Sequence, residues 1–273
     1  MLKILIIAGL LTAFVLIILY MIAPGEKRDC KRFTAMSFAH RGLHEPGIPE
    51  NSIEAFKRAR EAGYGVELDV QYTKDVQIVV FHDANLFRMC GASVKVCDLT
   101  YEELKSYRLA GTDQLIPLFK DVLTVLKDLP LICEIKNHNG NRNDRLCEET
   151  YELLREYNGD YCIESFSPFL VKWFRDNHPE VIRGQLSCDC KGEDIGKISG
   201  FLLTHLLVNV FSRPDFVAYC HKDTAKAGYI LCKYIYHPLL IGWTARGGEE
   251  QAGARKKFDS IIFEKYPANT IQK

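Results

Sequence analysis

Three observations predict a TIM-type (β/α)8 barrel with a β-hairpin extension after its second strand, preceded by one N-terminal transmembrane helix. Strand-like runs alternate with helical ones along most of the chain. Two neighbouring strand runs are joined too tightly for a parallel crossover. An uncharged apolar stretch precedes them all. The 273 residues accommodate one barrel, which commonly takes about 250 residues, with an appendage. The expected division is an anchor over 1–24, a linker over 25–35 and the barrel domain over 36–273.

From Ile4 to Ala23 the chain reads ILIIAGLLTAFVLIILYMIA with no charge. As a helix, such a run rises about 30 Å, the thickness of a bilayer hydrocarbon core. A cleaved secretory signal is the alternative, but its apolar region is shorter and ends in a small-x-small site, which MIAPGEKRD does not offer. Lys3 precedes the run, whereas Lys27, Arg28, Lys31 and Arg32 follow it. The positive-inside rule then puts the catalytic domain in the cytoplasm. The ten cysteines form no CxxC pair, and Cys133, Cys162 and Cys188 fall in apparent strands, where a reduced thiol packs as a small apolar group; their even count also permits disulfides, which leaves an external domain as the alternative.

The strand-like runs are 36–40, 65–72, 77–82, 131–136, 161–166, 183–187, 215–220, 240–245 and 260–264. Between them IEAFKRAREAG, LFKDVLTVLKDL, EETYELLREY and SPFLVKWFRDN repeat apolar residues at the helical period. Only Thr73 to Val76 separates the second and third runs, a hairpin spacing. Setting aside the third run as the hairpin's return arm leaves eight barrel strands. An open doubly wound sheet is the rival fold; it more often carries a glycine-rich loop after its first strand, and HRGLHEPG is not GxGxxG.

Lys plus Arg equals Asp plus Glu, at 35 each, so net charge gives no reason to expect a nucleic-acid partner. The chemistry is local instead. Glu67 and Asp69 stand two apart in an apolar strand, and so share a face. Buried carboxylates must be paired, protonated or bound to metal. A turn centred between Lys74 and Asp75 would set Glu67 opposite His82 and Asp69 opposite Val80. His40 and Arg41 end the first strand, at the mouth where barrel enzymes build their sites. Glu134 and Lys136 repeat the two-residue spacing.

Three carboxylates without a histidine–cysteine cluster suit one hard divalent cation, Mg²⁺ or Ca²⁺. Two histidines suit proton transfer, and Arg41 and Lys136 suit phosphoryl oxygens. Each feature alone has a structural explanation, such as a rim histidine or a Glu134–Lys136 ion pair. Their convergence at consecutive strand ends favours metal-assisted attack on a phosphodiester.

The segment AHRGLHEPGIPENSIEAFKRAREAGYGVELDVQYTKDVQIVVFHDANLFRMCG resembles the glycerophosphodiester phosphodiesterases, whose signature is written HRG, PENT, ELDV, T.D and HD. VCDLTYEEL, IPLFKDVL, CEIK, ESF and GWT follow in family order. The resemblance is to a membrane-anchored, bacterial-type member. It implies metal ligation by Glu67, Asp69 and Glu134, with His40 and His82 as acid and base. It also implies phosphate contacts from Arg41 and Lys136, and packing of Trp243 and Phe166 against the glycerol side of the substrate. The implied reaction is hydrolysis of a glycerophosphodiester to sn-glycerol 3-phosphate and an alcohol. A lysophospholipase D-type activity on acylated substrates is the near alternative, and a non-catalytic membrane-bound binding module the distant one.

Departures from the family pattern are few. PENS replaces PENT, leaving Asn51 or Ser52 to cap the next helix, so that Glu50 and Asn51 need no catalytic role. WTAR stands for WTVN, and IIFEKYP for ITD followed by RP or YP. The apolar run 198–211 reads as a barrel helix, since about 14 residues is too short to span; skimming the bilayer beside the anchor is its functional alternative.

Overall fold

The computed structural model describes residues 1–26, 29–138, 143–191 and 195–265. Lys27 and Arg28 of the charge comparison, and the Tyr266–Pro267 pair of IIFEKYP, lie outside the described residues.

All nine strand-like runs form strands. They are β1 (Ser37–His40), β2 (Gly65–Tyr72), β3 (Ile78–Val80), β4 (Leu131–Ile135), β5 (Tyr161–Ser165), β6 (Arg183–Ser187), β7 (Phe216–Cys220), β8 (Leu239–Arg246) and β9 (Ser260–Glu264). Eight of them run parallel from β1 through β9, β8, β7, β6, β5 and β4 to β2, and the β1–β2 pairing closes the barrel. β3 adds to β2 in antiparallel fashion.

The long helix α1 (Leu2–Ile22) precedes the barrel, and α2 (Ile53–Glu61) links β1 to β2. After β3 comes a small lobe holding the one-turn helices α3 (Phe87–Cys90) and α4 (Tyr101–Leu104). The barrel then continues through α5 (Phe119–Leu126), α6 (Asp144–Leu154) and α7 (Pro168–Asn177). The 198–211 run forms two helices, α8 (Lys197–Thr204) and α9 (Asn209–Ser212), where one was expected. Leu206 lies between them at φ 57°, a left-handed turn that no continuing helix tolerates. The outer ring ends with α10 (Ala227–Leu231), a π-helical turn at Cys232–Tyr236, and α11 (Gly248–Arg255).

Strand alternation sorts side chains into two layers. Outward residues such as Val66, Leu68, Cys133, Ile163 and Val217 pack beneath the helices. Inward residues form a second core of Phe38, Ile132, Cys162, Ile182, Phe216, Ile241 and Ile262, with Phe33 of the linker packed into it. Gly65 and Gly184 make this inner layer possible. A Cβ on Gly65 would sit 2.5 Å from the Phe38 ring, and one on Gly184 would sit 2.2 Å from Phe216. Burying each phenylalanine contributes about 1.5–3 kcal/mol, so the floor of the barrel is apolar and sealed. His40, Glu67, Asp69 and Glu134 stand above that floor on the same inward columns.

The hairpin register differs from expectation by one residue. Val70 pairs with Val80 and Tyr72 with Ile78, so Glu67 does not face His82. The turn closes with Thr73 N–H donating to Gln77 O at 3.0 Å, leaving a three-residue loop of Lys74, Asp75 and Val76. Val76 takes φ 61° there, which the sequence reading did not anticipate for a β-branched residue. Cys133 and Cys162 are buried in strands as expected, while Cys188 lies just past the end of β6.

The last turn of α1 is tied to the barrel. Tyr236 Oη donates to Leu19 O at 2.7 Å, and buried Asn209 Nδ2 donates to Ile22 O at 2.9 Å. The Arg213 guanidinium donates to Tyr20 O at 2.9 Å and Ala23 O at 2.8 Å, and stands over the Tyr20 ring. These donors satisfy carbonyls that any helix leaves open at its C-terminus, and the arginine meets the negative end of the helix dipole. The remainder of α1 is exposed.

Candidate active site

β2 brings Glu67 and Asp69 to the barrel mouth and β4 brings Glu134, with Asp69 and Glu134 directly opposed in the ladder. One carboxylate oxygen from each of the three lies within 4.8 Å of the others, and all three side chains are buried. Lys136 follows β4 and places Nζ 2.8 Å from both Asp69 Oδ1 and Glu134 Oε2. Burial is the largest influence on every member. It pushes the Glu67 carboxyl well up, assisted by repulsion from Asp69 and Glu134, and it raises Glu134 despite Lys136. Burial would also raise Asp69, but the charges of Lys136, His82 and Arg41 reverse it and hold that group well below the carboxylate range. Burial opposes the charged form of Lys136 too, yet Asp69 and Glu134 keep it raised.

Glu164 was not anticipated. It stands on β5 in register with Glu134, is fully buried, and is pushed well up by burial and then by Glu134. A fourth buried carboxyl, with its pKa pushed up, thus borders the cluster. Its sequence signals were a carboxylate in the otherwise apolar strand YCIES and its place in the ESF match.

His40 ends β1. Its Nδ1 lies 2.5 Å from Glu264 Oε1, its Nε2 lies 3.8 Å from Glu67 Oε2, and Arg246 Nε donates to Glu264 at 2.7 Å. Burial lowers the His40 imidazole to about 4, against the opposing pull of Glu264. With the carboxylate accepting from Nδ1–H, the Nε2 lone pair is directed at the carboxylates. The family's usual ITD has IFE here, and the longer glutamate reaches the histidine.

His82 lies beyond the end of β3. Phe81 N–H donates to Asp69 O at 3.0 Å, and Gln71 Nε2 donates to Phe81 O at 2.6 Å and Asp83 O at 2.9 Å. These bonds pin the loop so that the His82 charge acts on both Asp69 and Glu134. Its Nδ1 lies 2.6 Å from Asp83 Oδ1. The two histidines therefore share one feature, a carboxylate oxygen at Nδ1.

Arg41 takes φ 55°, which turns its own N–H onto Glu67 Oε2 at 3.1 Å and its side chain toward Asp69, 3.4 Å away at Oδ2. Glu50 receives Arg41 at 2.7 Å and two bonds from Arg88, at 2.7 and 2.9 Å, while Arg88 Nε donates to Asp83 at 2.6 Å. A continuous ring of charges thus runs His82–Asp83–Arg88–Glu50–Arg41–Asp69. Burial opposes ionisation of Glu50, but the bonds from Arg88 and the charge of Arg41 draw it down to about 2. Glu50 thus supports the site through Arg41, and the choice of helix cap left open between Asn51 and Ser52 is decided. Ser52 is the cap, accepting from Ala55 N–H, and Asn51 Nδ2 donates to Asp69 Oδ2 at 2.8 Å.

Phe166 and Trp243 meet edge to face at 5.6 Å on the opposite side of the mouth, partly buried on the inner core. The structure thus gathers all nine site residues foreseen from sequence at one end of the barrel.

A parallel eight-stranded barrel whose mouth gathers buried carboxylates, two carboxylate-held histidines and two cations defines a class of polar-substrate barrel. The profile of the glycerophosphoryl diester phosphodiesterase family matches residues 40–186, and the chain belongs to that family.

The lysophospholipase D GDPD1 of Rattus norvegicus is 34% identical over 207 residues, covering 70% of this chain and 62% of that protein. The chain therefore spans less than two thirds of that relative's length. A glycerophosphodiester phosphodiesterase of Caldanaerobacter subterraneus is 33% identical over 160 residues, 54% of this chain and 65% of its own. Among solved structures, a phosphodiesterase from Oleispira antarctica in complex with the product sn-glycerol 3-phosphate superposes with TM-score 0.69 at 20% identity. It covers 85% of this chain and 94% of its own, and at that identity it speaks for the fold. The glycerophosphodiester phosphodiesterase of Thermotoga maritima gives 0.64 at 25% identity, covering 84% and 93%.

Proposed function

We propose that the chain is a membrane-anchored hydrolase that cleaves glycerophosphodiesters to sn-glycerol 3-phosphate and an alcohol with the help of one divalent cation. The observation that carries this reading is the cluster of Glu67, Asp69 and Glu134, three buried carboxylates with a histidine on either side. The donor set fits a hard cation. It offers only oxygens, and the mutual repulsion that raises Glu67 and Glu134 persists beside Lys136, His82 and Arg41, an excess that Mg²⁺ or Ca²⁺ would neutralise. When bound, such an ion polarises the phosphoryl group and offsets its charge.

The protein's own groups do the rest. Arg41 and Lys136 hold the phosphoryl oxygens. One histidine withdraws a proton from the attacking hydroxyl at its Nε2, and the other returns one to the leaving oxygen. Asp83 and Glu264 keep each imidazole in the tautomer that leaves Nε2 available. Phe166 and Trp243 provide an apolar wall for the glycerol carbons. Glu50 and Asn51 fix Arg41 and Asp69 without touching substrate.

The anchor is α1, over residues 1–24, with 25–35 as linker and 36–273 as the catalytic barrel. A retained helix is supported by the buried Asn209, whose bond to Ile22 O a cleavage would remove. Placing the barrel in the cytoplasm rests on the basic residues after α1 and on thiols such as Cys133 and Cys162 that pack as apolar core.

The test is a panel of glycerophosphodiesters with different headgroups, incubated with purified protein, chelator, and Mg²⁺ or Ca²⁺ restored. Release of glycerol 3-phosphate that stops with chelator and returns with metal is expected; no release across the panel refutes the reading. A second reading, lysophospholipase D-type hydrolysis of acylated substrates, is favoured by the names of the first relatives and by α1. Comparing glycerophosphocholine with lysophosphatidylcholine separates the two.

A further inference from the structure

We infer that the barrel lies against the bilayer on one sector of its outer ring, formed by the helices after β5, β6 and β7, with aromatic and aliphatic side chains seated in the lipid interface. This rests on reading α1 as a retained membrane anchor.

The distribution of exposed apolar side chains carries the argument. After α1, nine large apolar residues are exposed among the described residues, and eight fall between Phe169 and Ile235. The exception is Phe87, on the small lobe. No such residue appears on α2, α5, α6 or α11, so the patch is confined to one side of the ring. Its most exposed members are Ile198 at 78%, Tyr234 at 66% and Phe201 at 58%. Scattered apolar residues are ordinary on a soluble surface, whereas concentration in one sector marks an interaction surface.

The same sector receives α1. Asn209 begins α9, Arg213 follows it, and Tyr236 closes the π-helical turn after α10; these are the residues that hold the end of α1. Phe211 of α9, packed on Phe169 of α7, and Tyr234 and Ile235 of the π-helical turn therefore lie within two residues of the side chains that hold the end of α1. A helix of 21 residues that enters a hydrocarbon core brings the bilayer to the point on this sector where its last turn is held. A second protein covering the patch would have to occupy the space that the bilayer fills. Tyrosines at this level suit the headgroup boundary, with the ring in the apolar zone and the hydroxyl in the wet one.

The test uses the full chain in phosphatidylcholine vesicles, with and without brominated acyl chains that quench tryptophan on contact. Four single variants are compared with the parent: Phe201→Trp, Tyr234→Trp, Phe87→Trp and Phe14→Trp. Each replaces an exposed aromatic with another, and a thermal melt matching the parent reports that the fold is kept. Emission from F201W and Y234W is expected to fall about twofold further than the parent's in brominated vesicles, as for side chains some 5–10 Å into the interface. F87W should behave as the parent and F14W should be quenched most. If F14W is quenched while F201W and Y234W match F87W, the anchor stands and the surface contact is overturned. If F14W is not quenched, the anchor reading fails and the contact fails with it.

Discussion

Replacing Lys136 by methionine removes the one ammonium between Asp69 and Glu134, each 2.8 Å from it, while leaving a side chain of similar length. Taking away one partner of a buried ion pair costs about 3–5 kcal/mol, because the other charge stays buried without compensation. At roughly 2–4 °C per kcal/mol for a chain of this size, the melting temperature in chelator falls by roughly 6–20 °C. The cation proposed for the site offsets the same carboxylates from outside. At a hundredfold excess over its dissociation constant it returns about 2.7 kcal/mol. The assay is thermal unfolding of parent and K136M, each in chelator and in excess Mg²⁺ or Ca²⁺. The deficit should also be smaller at about pH 5 than at about pH 8, since without the lysine the folded carboxyls bind protons more readily than the unfolded ones. The reasoning is refuted if K136M melts with the parent in chelator, or if neither metal raises the melting point of either protein.

Three further outcomes follow from the same geometry. His82→Ala lowers kcat by about 10²–10⁴-fold, the range for a lost acid or base, while calorimetry finds cation affinity unchanged; retained turnover contradicts the assignment. Glu264→Gln lowers kcat by roughly 10–100-fold with KM little altered, and Glu264→Asp recovers part of it, because the carboxylate only orients His40. The Glu50 carboxyl is drawn from 4.5 to about 2, so its stabilisation is full above the unfolded value and lost as pH falls toward the folded one. The difference in melting temperature between parent and Glu50→Gln should therefore be widest near about pH 6 and narrow by about pH 3.

The barrel was legible because its strands are short, strongly apolar and bounded by helices of clear period. The site was legible where chemistry broke that pattern, as with Glu67, Asp69 and Glu134 in strands that should hold only apolar residues. What escaped was set by single backbone angles. Val76 in the left-handed region shifted the hairpin by one residue, and Leu206 broke an apolar run into two helices. Asn51 was ambiguous for a related reason. Asparagine and serine both cap helices, and only the left-handed turn at Asn51 assigns the cap to Ser52 and frees the amide for Asp69. Arg88 gave no signal, since an arginine on a one-turn helix looks like any solvated surface charge until the lobe folds over the mouth.

The charged ring through Glu50 has a bearing on how such barrels diversify. Among the described residues, the small lobe reaches the proposed catalytic groups through the side chains of Asp83 and Arg88, which grip His82 and Glu50 as a plug enters a socket. A lobe of different length or shape that keeps those two prongs leaves the histidine and arginine where they are. The lobe can then be exchanged like an interchangeable visor, altering what reaches the mouth while the chemistry beneath stays constant.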